Sequence, residues 1–160
     1  MGYSLTLSAE LEGVTSLQPA DSLESPFEYT FQVQCTSCRE IHSKEVNINT
    51  LEKHEMSGSR GEANFVFKCQ FCKRESSANI TRTKKAYTIE DDKPVAILDI
   101  DSRGLEIVKF IPVGNFICSA VEGPTKFTEV DLSDNEWYDY DDNAGAEVSI
   151  TDVKWDFVKN

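Results

Sequence analysis

The sequence predicts an all-β fold that carries a four-cysteine metal site, and three observations support that expectation. Apolar and polar residues alternate along several segments, and no segment sustains a 3.6-residue apolar repeat. Two Cys-x-x-Cys pairs stand at the ends of alternating segments.

In the first segment Tyr3, Leu5, Leu7, Ala9 and Leu11 are apolar, with Ser4, Thr6, Ser8 and Glu10 between them. Successive side chains of an extended chain point to opposite faces, so this pattern buries one face and leaves the other in water. Phe27, Tyr29, Phe31, Val33 and Cys35 repeat it against Glu28, Thr30, Gln32 and Gln34. Ala63, Phe65, Phe67 and Cys69 do so again, with Asn64 and Lys68 opposite. Further strands are expected over residues 95–100, 106–111, 115–121 and 152–158, the last with Val153, Trp155 and Phe157 in register. The most helix-like stretches are short: residues 49–56, and a turn near 133–136 where Ser133 and Glu136 stand at capping-box spacing.

A faint internal echo runs through the chain. Leu5 to Ala9, then Leu11-Glu-Gly-Val14 and Leu17-Gln-Pro19, resembles Leu98 to Ser102, then Leu105-Glu-Ile-Val108 and Ile111-Pro112. An aromatic strand follows each proline, from near Phe27 and near Phe116. We therefore expect one compact domain over residues 1–160, built as a cysteine-carrying β half (1–88) and an acidic β half (89–160). The seam is expected in residues 87–94, which are polar and contain Pro94 but are too few for a free linker.

A chain of 160 residues can bury roughly 68–70% of its extended surface, so it does not need a metal merely to reach a viable core. No window approaches the ~18 consecutive apolar residues of a membrane helix. The start lacks the basic and apolar regions of a secretory signal. Four of the five cysteines fall in matched pairs, which in a reducing compartment indicates metal or redox chemistry before a disulfide framework. Cytosol or nucleus is the expected location.

The net charge of −12 is unevenly spread. Residues 1–34 hold five acids and no Lys or Arg; residues 35–85 hold ten Lys/Arg against six acids; residues 86–160 hold six against seventeen. An acidic field disfavours nucleic acid, whose affinity comes from neutralised phosphates, although the basic middle segment keeps that reading open.

Cys35-Thr-Ser-Cys38 and Cys69-Gln-Phe-Cys72 lie thirty residues apart. Tetrahedral Zn²⁺ takes four thiolates at about 2.3 Å, and two such turns supply two each from opposite sides. Four cysteines fill the shell, whereas catalytic zinc keeps a position open for water, so the site is expected to be structural. Thiol redox would need one pair at the N-terminus of a helix, and neither pair precedes a helical pattern. Iron in the same sulfur site is chemically possible.

His42 and His54 lie near the motifs and read as surface or loop residues; Cys118, between Ile117 and Ser119, reads as a small core residue. Ser57, Gly58, Ser59, Arg60 and Gly61 could cradle an anion, but they lead into a strand, so a hairpin connection is favoured. Asp139, Asp141 and Asp142 lack calcium-loop spacing and read as a solvated acidic surface, with Trp137, Tyr138 and Tyr140 beside them suiting a protein-binding patch. No paired carboxylates, triad or cofactor fingerprint stands out, and neither a catalytic residue nor a small-molecule substrate is expected.

At these motifs the chain resembles the eukaryotic CXXC-motif-containing zinc-binding protein family. The matching blocks are Cys35-Thr-Ser-Cys38-Arg-Glu40, residues 57–64 and 68–75, Arg103-Gly-Leu-Glu106 with Phe110, and Trp137 to Asp141. The resemblance implies coiled, bifurcated antiparallel sheets in two similar halves, and one zinc ion on Cys35, Cys38, Cys69 and Cys72. Arg39 stands where relatives often carry Gly. The resemblance supplies no catalytic residues, and the expected partner is another protein. Nucleic-acid association and thiol or metal transfer are the alternatives.

Overall fold

Period-2 patterning dominates the chain, and strands dominate the molecule. The computed structural model describes residues 2–56 and 61–159. Among these there is no helix, and so none long and apolar enough to cross a membrane. The helix-like residues 49–56 instead bend at 50–51 and run into a short strand at His54–Glu55. Asn49 Oδ1 accepts the N–H groups of Leu51 (3.0 Å) and Glu52 (2.7 Å) as a cap would, but Asn64 Nδ2 donates to the carbonyls of Thr50 (3.4 Å) and Glu52 (2.9 Å). No helical turn follows the cap, because those carbonyls bond across the fold and no apolar repeat supports one. Residues 133–136 are a turn, with Asn135 N–H on the Leu132 carbonyl.

The described strands are β1 (Gly2–Glu12), β2 (Val14–Pro19), β3 (Tyr29–Cys35), β4 (Val46–Ile48), β5 (His54–Glu55), β6 (Glu62–Ala63), β7 (Phe65–Lys68) and β8 (Glu75–Arg82). They continue as β9 (Val95–Arg103), β10 (Leu105–Ile111), β11 (Asn115–Ala120), β12 (Lys126–Asp131), β13 (Trp137–Asp141) and β14 (Ala146–Lys159). All pair antiparallel. One sheet has the order β13-β14-β1-β9-β8-β7; two three-stranded sheets run β10-β3-β4 and β12-β11-β2; β5 and β6 form a separate pair.

This order has an internal symmetry. Exchanging β1 with β9, β2 with β10, β3 with β11, β4 with β12, β7 with β13 and β8 with β14 turns the six-stranded sheet into itself reversed. The same exchange swaps the two three-stranded sheets. The two similar halves are therefore real in topology, but they are interleaved: β1 pairs with β9, β3 with β10 and β2 with β11. The anchor of the repeat is a glycine. Gly13 (φ 75°) separates β1 from β2 and Gly104 (φ 80°) separates β9 from β10. At each glycine the chain leaves the six-stranded sheet and enters another, which splits the sheets. The echo that matched Leu11 with Leu105 is thus three residues out of register. Both glycines have left-handed φ and no room for a Cβ, which would lie 2.7 Å from Val148 Cγ1 at Gly13 and 2.9 Å from Ser76 Oγ at Gly104.

The core lies between the sheets. Leu5 and Leu98 pair directly across the β1–β9 seam and are both fully buried. Phe31 and Phe116, counterparts in the two halves, are also fully buried. Around them Phe110 packs on Phe31 (5.5 Å) and edge-on to Trp155 (4.8 Å), and Phe27 packs on Phe116 (5.3 Å). Asp21 joins β2 to its surroundings: its carboxylate accepts Phe27 N–H and Tyr29 O–H, each at 3.0 Å, and faces Arg82 at 3.7 Å.

Candidate metal centre

The site begins where alternation ends. Cys35 is the last residue of β3 and Cys69 follows the last residue of β7, so each pair starts as its strand stops. Both first cysteines are only 2% exposed, whereas Cys38 and Cys72 are half-buried. Each turn closes in the same way. Cys35 N–H donates to the Glu40 carbonyl (3.0 Å) and Arg39 N–H to the Cys35 carbonyl (3.0 Å). Cys69 N–H donates to the Arg74 carbonyl (2.9 Å) and Lys73 N–H to the Cys69 carbonyl (2.9 Å). Arg39 and Lys73 take left-handed φ of 65° and 64° to permit it. Arg39 therefore adopts the conformation that a glycine would adopt more cheaply. Thr36 N–H donates to the Gly104 carbonyl (3.1 Å) and fixes the first turn to the bend between β9 and β10.

The four sulfurs converge. All lie within 4.8 Å of one another, with Cys35 Sγ 3.6 Å from Cys72 Sγ and Cys38 Sγ 3.6 Å from Cys69 Sγ. These distances are far too long for disulfides, and all five cysteines are free. A tetrahedron with bonds of about 2.3 Å has edges of about 3.8 Å, so this donor set fits a four-thiolate metal.

The electrostatics agree. The N–H groups of Cys38 and Ser37 hold the Cys35 thiol below its ordinary value, with burial opposing them. The N–H groups of Cys72 and Phe71 lower Cys69 to about 7. At Cys38 the Glu40 N–H also favours the thiolate, yet burial and the neighbouring sulfurs prevail and push it up to about 12. A cation bound among the sulfurs would favour the thiolate at all of them.

The other candidates stand apart from the sulfurs. His42 turns its ring edge-on to Phe67 (4.7 Å), and exposed His54 faces Glu52 at 3.5 Å. Cys118 is buried in β11 with its thiol pushed up to about 12, by burial first and then by the Asp139 charge. Phe65 and Phe67 stack on each other (5.9 Å) against the core. Of the possible anion loop, residues 57–60 lie outside the described residues. One reading is corrected: the acidic stretch is not wholly a solvated surface, because Asp141 is 1% exposed and hydrogen-bonded within the fold. Alternation gave no signal for this, since Asp141 falls at the same alternate position as Asp139, which is exposed.

Two closed cysteine turns meeting on an all-β frame form a four-thiol group of the knuckle kind that could hold a metal ion. The chain belongs to the family described as CXXC motif containing zinc binding protein, eukaryotic, whose model matches residues 4–158. A UPF0587 protein of Schizosaccharomyces pombe is 42% identical over 157 residues, 98% of each chain. The CXXC motif containing zinc binding protein of Homo sapiens is 36% identical over 158 residues, covering 98% of this chain and 97% of its own. The crystal structure of C1orf123 superposes with a TM-score of 0.88 at 35% identity over the whole of both chains. A hypothetical protein from Plasmodium falciparum shares the fold, with a TM-score of 0.83 at 24% identity over 98% of this chain and 99% of its own.

Proposed function

We propose that this chain is a non-enzymatic protein-interaction module, stapled by one structural Zn²⁺ on Cys35, Cys38, Cys69 and Cys72. The closed four-sulfur cluster carries the reading. Four thiolates complete a tetrahedral shell and leave no position at which a water or substrate could be activated. Soft thiolate donors suit zinc, and free cysteines suit the reducing cytosol or nucleus.

The contact surface we favour is the outer face of the second turn. Phe71 stands 56% exposed at its tip, with exposed Lys68, Lys73 and Arg74 around it and exposed Arg39 on the first turn. An aromatic ring among cations suits an acidic protein segment. Nucleic acid is less favoured, because two of the three nearby phenylalanines pack against the core.

The test compares the native protein with a triple variant, F71A with K73E and R74E, after both are shown to hold equal zinc. The variant should lose the proteins that the native chain captures from an extract while keeping its melting temperature. Unchanged capture, or salt-dependent binding of the native protein to mixed RNA and DNA, would overturn the reading.

A further inference from the structure

The internal symmetry that relates the halves also carries the cysteine turns onto a second pair of turns. Residues 35–40 correspond to 120–125, and residues 69–74 to 141–146. Most of the backbone bonds repeat; the exception is the one from Arg39 N–H to the Cys35 carbonyl, because Pro124 stands at the position of Arg39 and has no N–H to donate. Ala120 N–H donates to the Thr125 carbonyl (2.8 Å) as Cys35 does to Glu40, and Val121 N–H donates to the Gly13 carbonyl (3.0 Å) as Thr36 does to Gly104. Gly145 N–H donates to the Asp141 carbonyl (2.8 Å) as Lys73 does to Cys69, and both Gly145 and Lys73 have φ of 64°. The partners crowding the two hinge glycines correspond as well: Val148 stands in β14 where Ser76 stands in β8.

The side chains at the sulfur positions differ. Ala120, Gly123, Asp141 and Ala144 replace Cys35, Cys38, Cys69 and Cys72. Asp141 is as buried as Cys69, 1% exposed against 2%. Its Oδ1 accepts the N–H groups of Asn143 (3.0 Å) and Ala144 (3.3 Å), the counterparts of the Phe71 and Cys72 N–H groups that hold the Cys69 sulfur. The link between the turns is then made without metal. Thr125 Oγ1, from the first turn of the pair, donates to Asp141 Oδ1 at 2.7 Å, and Asn143 Nδ2 donates to Thr125 Oγ1 at 2.7 Å.

We infer that the Asp141–Thr125–Asn143 network is a metal-free second copy of the cysteine centre, so that two independent locks close the molecule at symmetry-related turns. One lock depends on metal and reduced thiols; the other depends only on a buried carboxylate and a hydroxyl. Metal loss or thiol oxidation should release one pair of turns and leave the other shut, making the metal a one-sided conformational switch and not a condition for the whole fold. The inference rests on the four cysteines binding metal, and the closing experiment separates the two readings.

The experiment follows amide hydrogen exchange in the zinc-loaded full chain. Removing metal with a strong chelator should speed exchange by at least about tenfold in residues 35–40 and 69–74 and leave 120–125 and 141–146 protected. T125V and D141A should do the converse, speeding exchange in 120–125 and 141–146 while zinc content stays that of the native chain. T125S, which restores the hydroxyl, should return protection. T125V is the milder variant and decides the matter if D141A does not fold. Equal exposure of all four turns on chelation, or unchanged exchange at 120–125 and 141–146 in T125V, would overturn the inference. Failure to hold zinc at all would overturn the cysteine-site reading and leave the T125V comparison to judge the second lock.

Discussion

At the scale of single residues, the fold depends on two glycines as much as on the cysteines. Gly13 and Gly104 each combine a left-handed φ with a site where a Cβ would lie under 3.0 Å from a neighbour. G13A and G104A should each cost about 1–3 kcal/mol, read as a fall in melting temperature of roughly 2–4 °C per kcal/mol. The near atom at Gly13 is a Val148 methyl, so in a V148A background G13A should cost less than in the native one. The thiols give a second prediction. With zinc bound, mass spectrometry after alkylation should find none of the five cysteines labelled. After chelation it should find four, and Cys118 should join only on unfolding, because burial holds its thiol neutral. Asp141 gives a third. Hydrogen bonds from Thr125 first, and then from the Ala144 and Asn143 N–H groups, hold its carboxyl below the ordinary range. Its stabilising effect is therefore present above the unfolded value near ~3.9 and is lost as pH falls through the lower folded value. T125V should flatten the acid limb of the stability curve, measured by chemical denaturation at each pH.

At the scale of elements, legibility in the sequence followed side-chain chemistry. Strands with large alternating apolar residues, such as β1, β3, β9 and β11, announce themselves. β8 does not, because its buried face is Ser76, Ala78 and Ile80, of which only Ile80 is large and apolar; Ser76 is small enough to lie beside Gly104. β12 and β13 lack a clean apolar alternation because they bury only Val130 and Asp141 fully and Phe127 and Trp137 in part. The convergence of the four cysteines was legible because metal chemistry fixes the spacing of such pairs. The Asp141 lock was not, since nothing local separates a buried aspartate from its exposed neighbours Asp139 and Asp142. The β1–β9 seam should be the most sensitive part of the sheet. L98A should cost about 2–5 kcal/mol. Y3F should cost about 1–3 kcal/mol, because the Tyr3 hydroxyl accepts the buried N–H of Ile107 at 3.0 Å, which would lose its acceptor. Both are read by denaturant unfolding.

At the scale of the whole molecule, the interleaved halves explain how one metal can matter without founding the core. The apolar cluster runs through both halves, from Leu5 and Phe31 to Phe116 and Ile150, and the cysteine turns cap one edge of it. The turns related to them by the internal symmetry lie in the acidic second half, so the two capped regions differ in charge as well as in chemistry. The central claim is that Cys35, Cys38, Cys69 and Cys72 hold a structural zinc ion. The most direct test is the metal content of the native protein together with its melting temperature before and after strong chelation. We expect one zinc per chain, and a drop in melting temperature on its removal that zinc alone restores. A native protein that contains no zinc, or one whose melting temperature is unchanged by losing it, would contradict the claim.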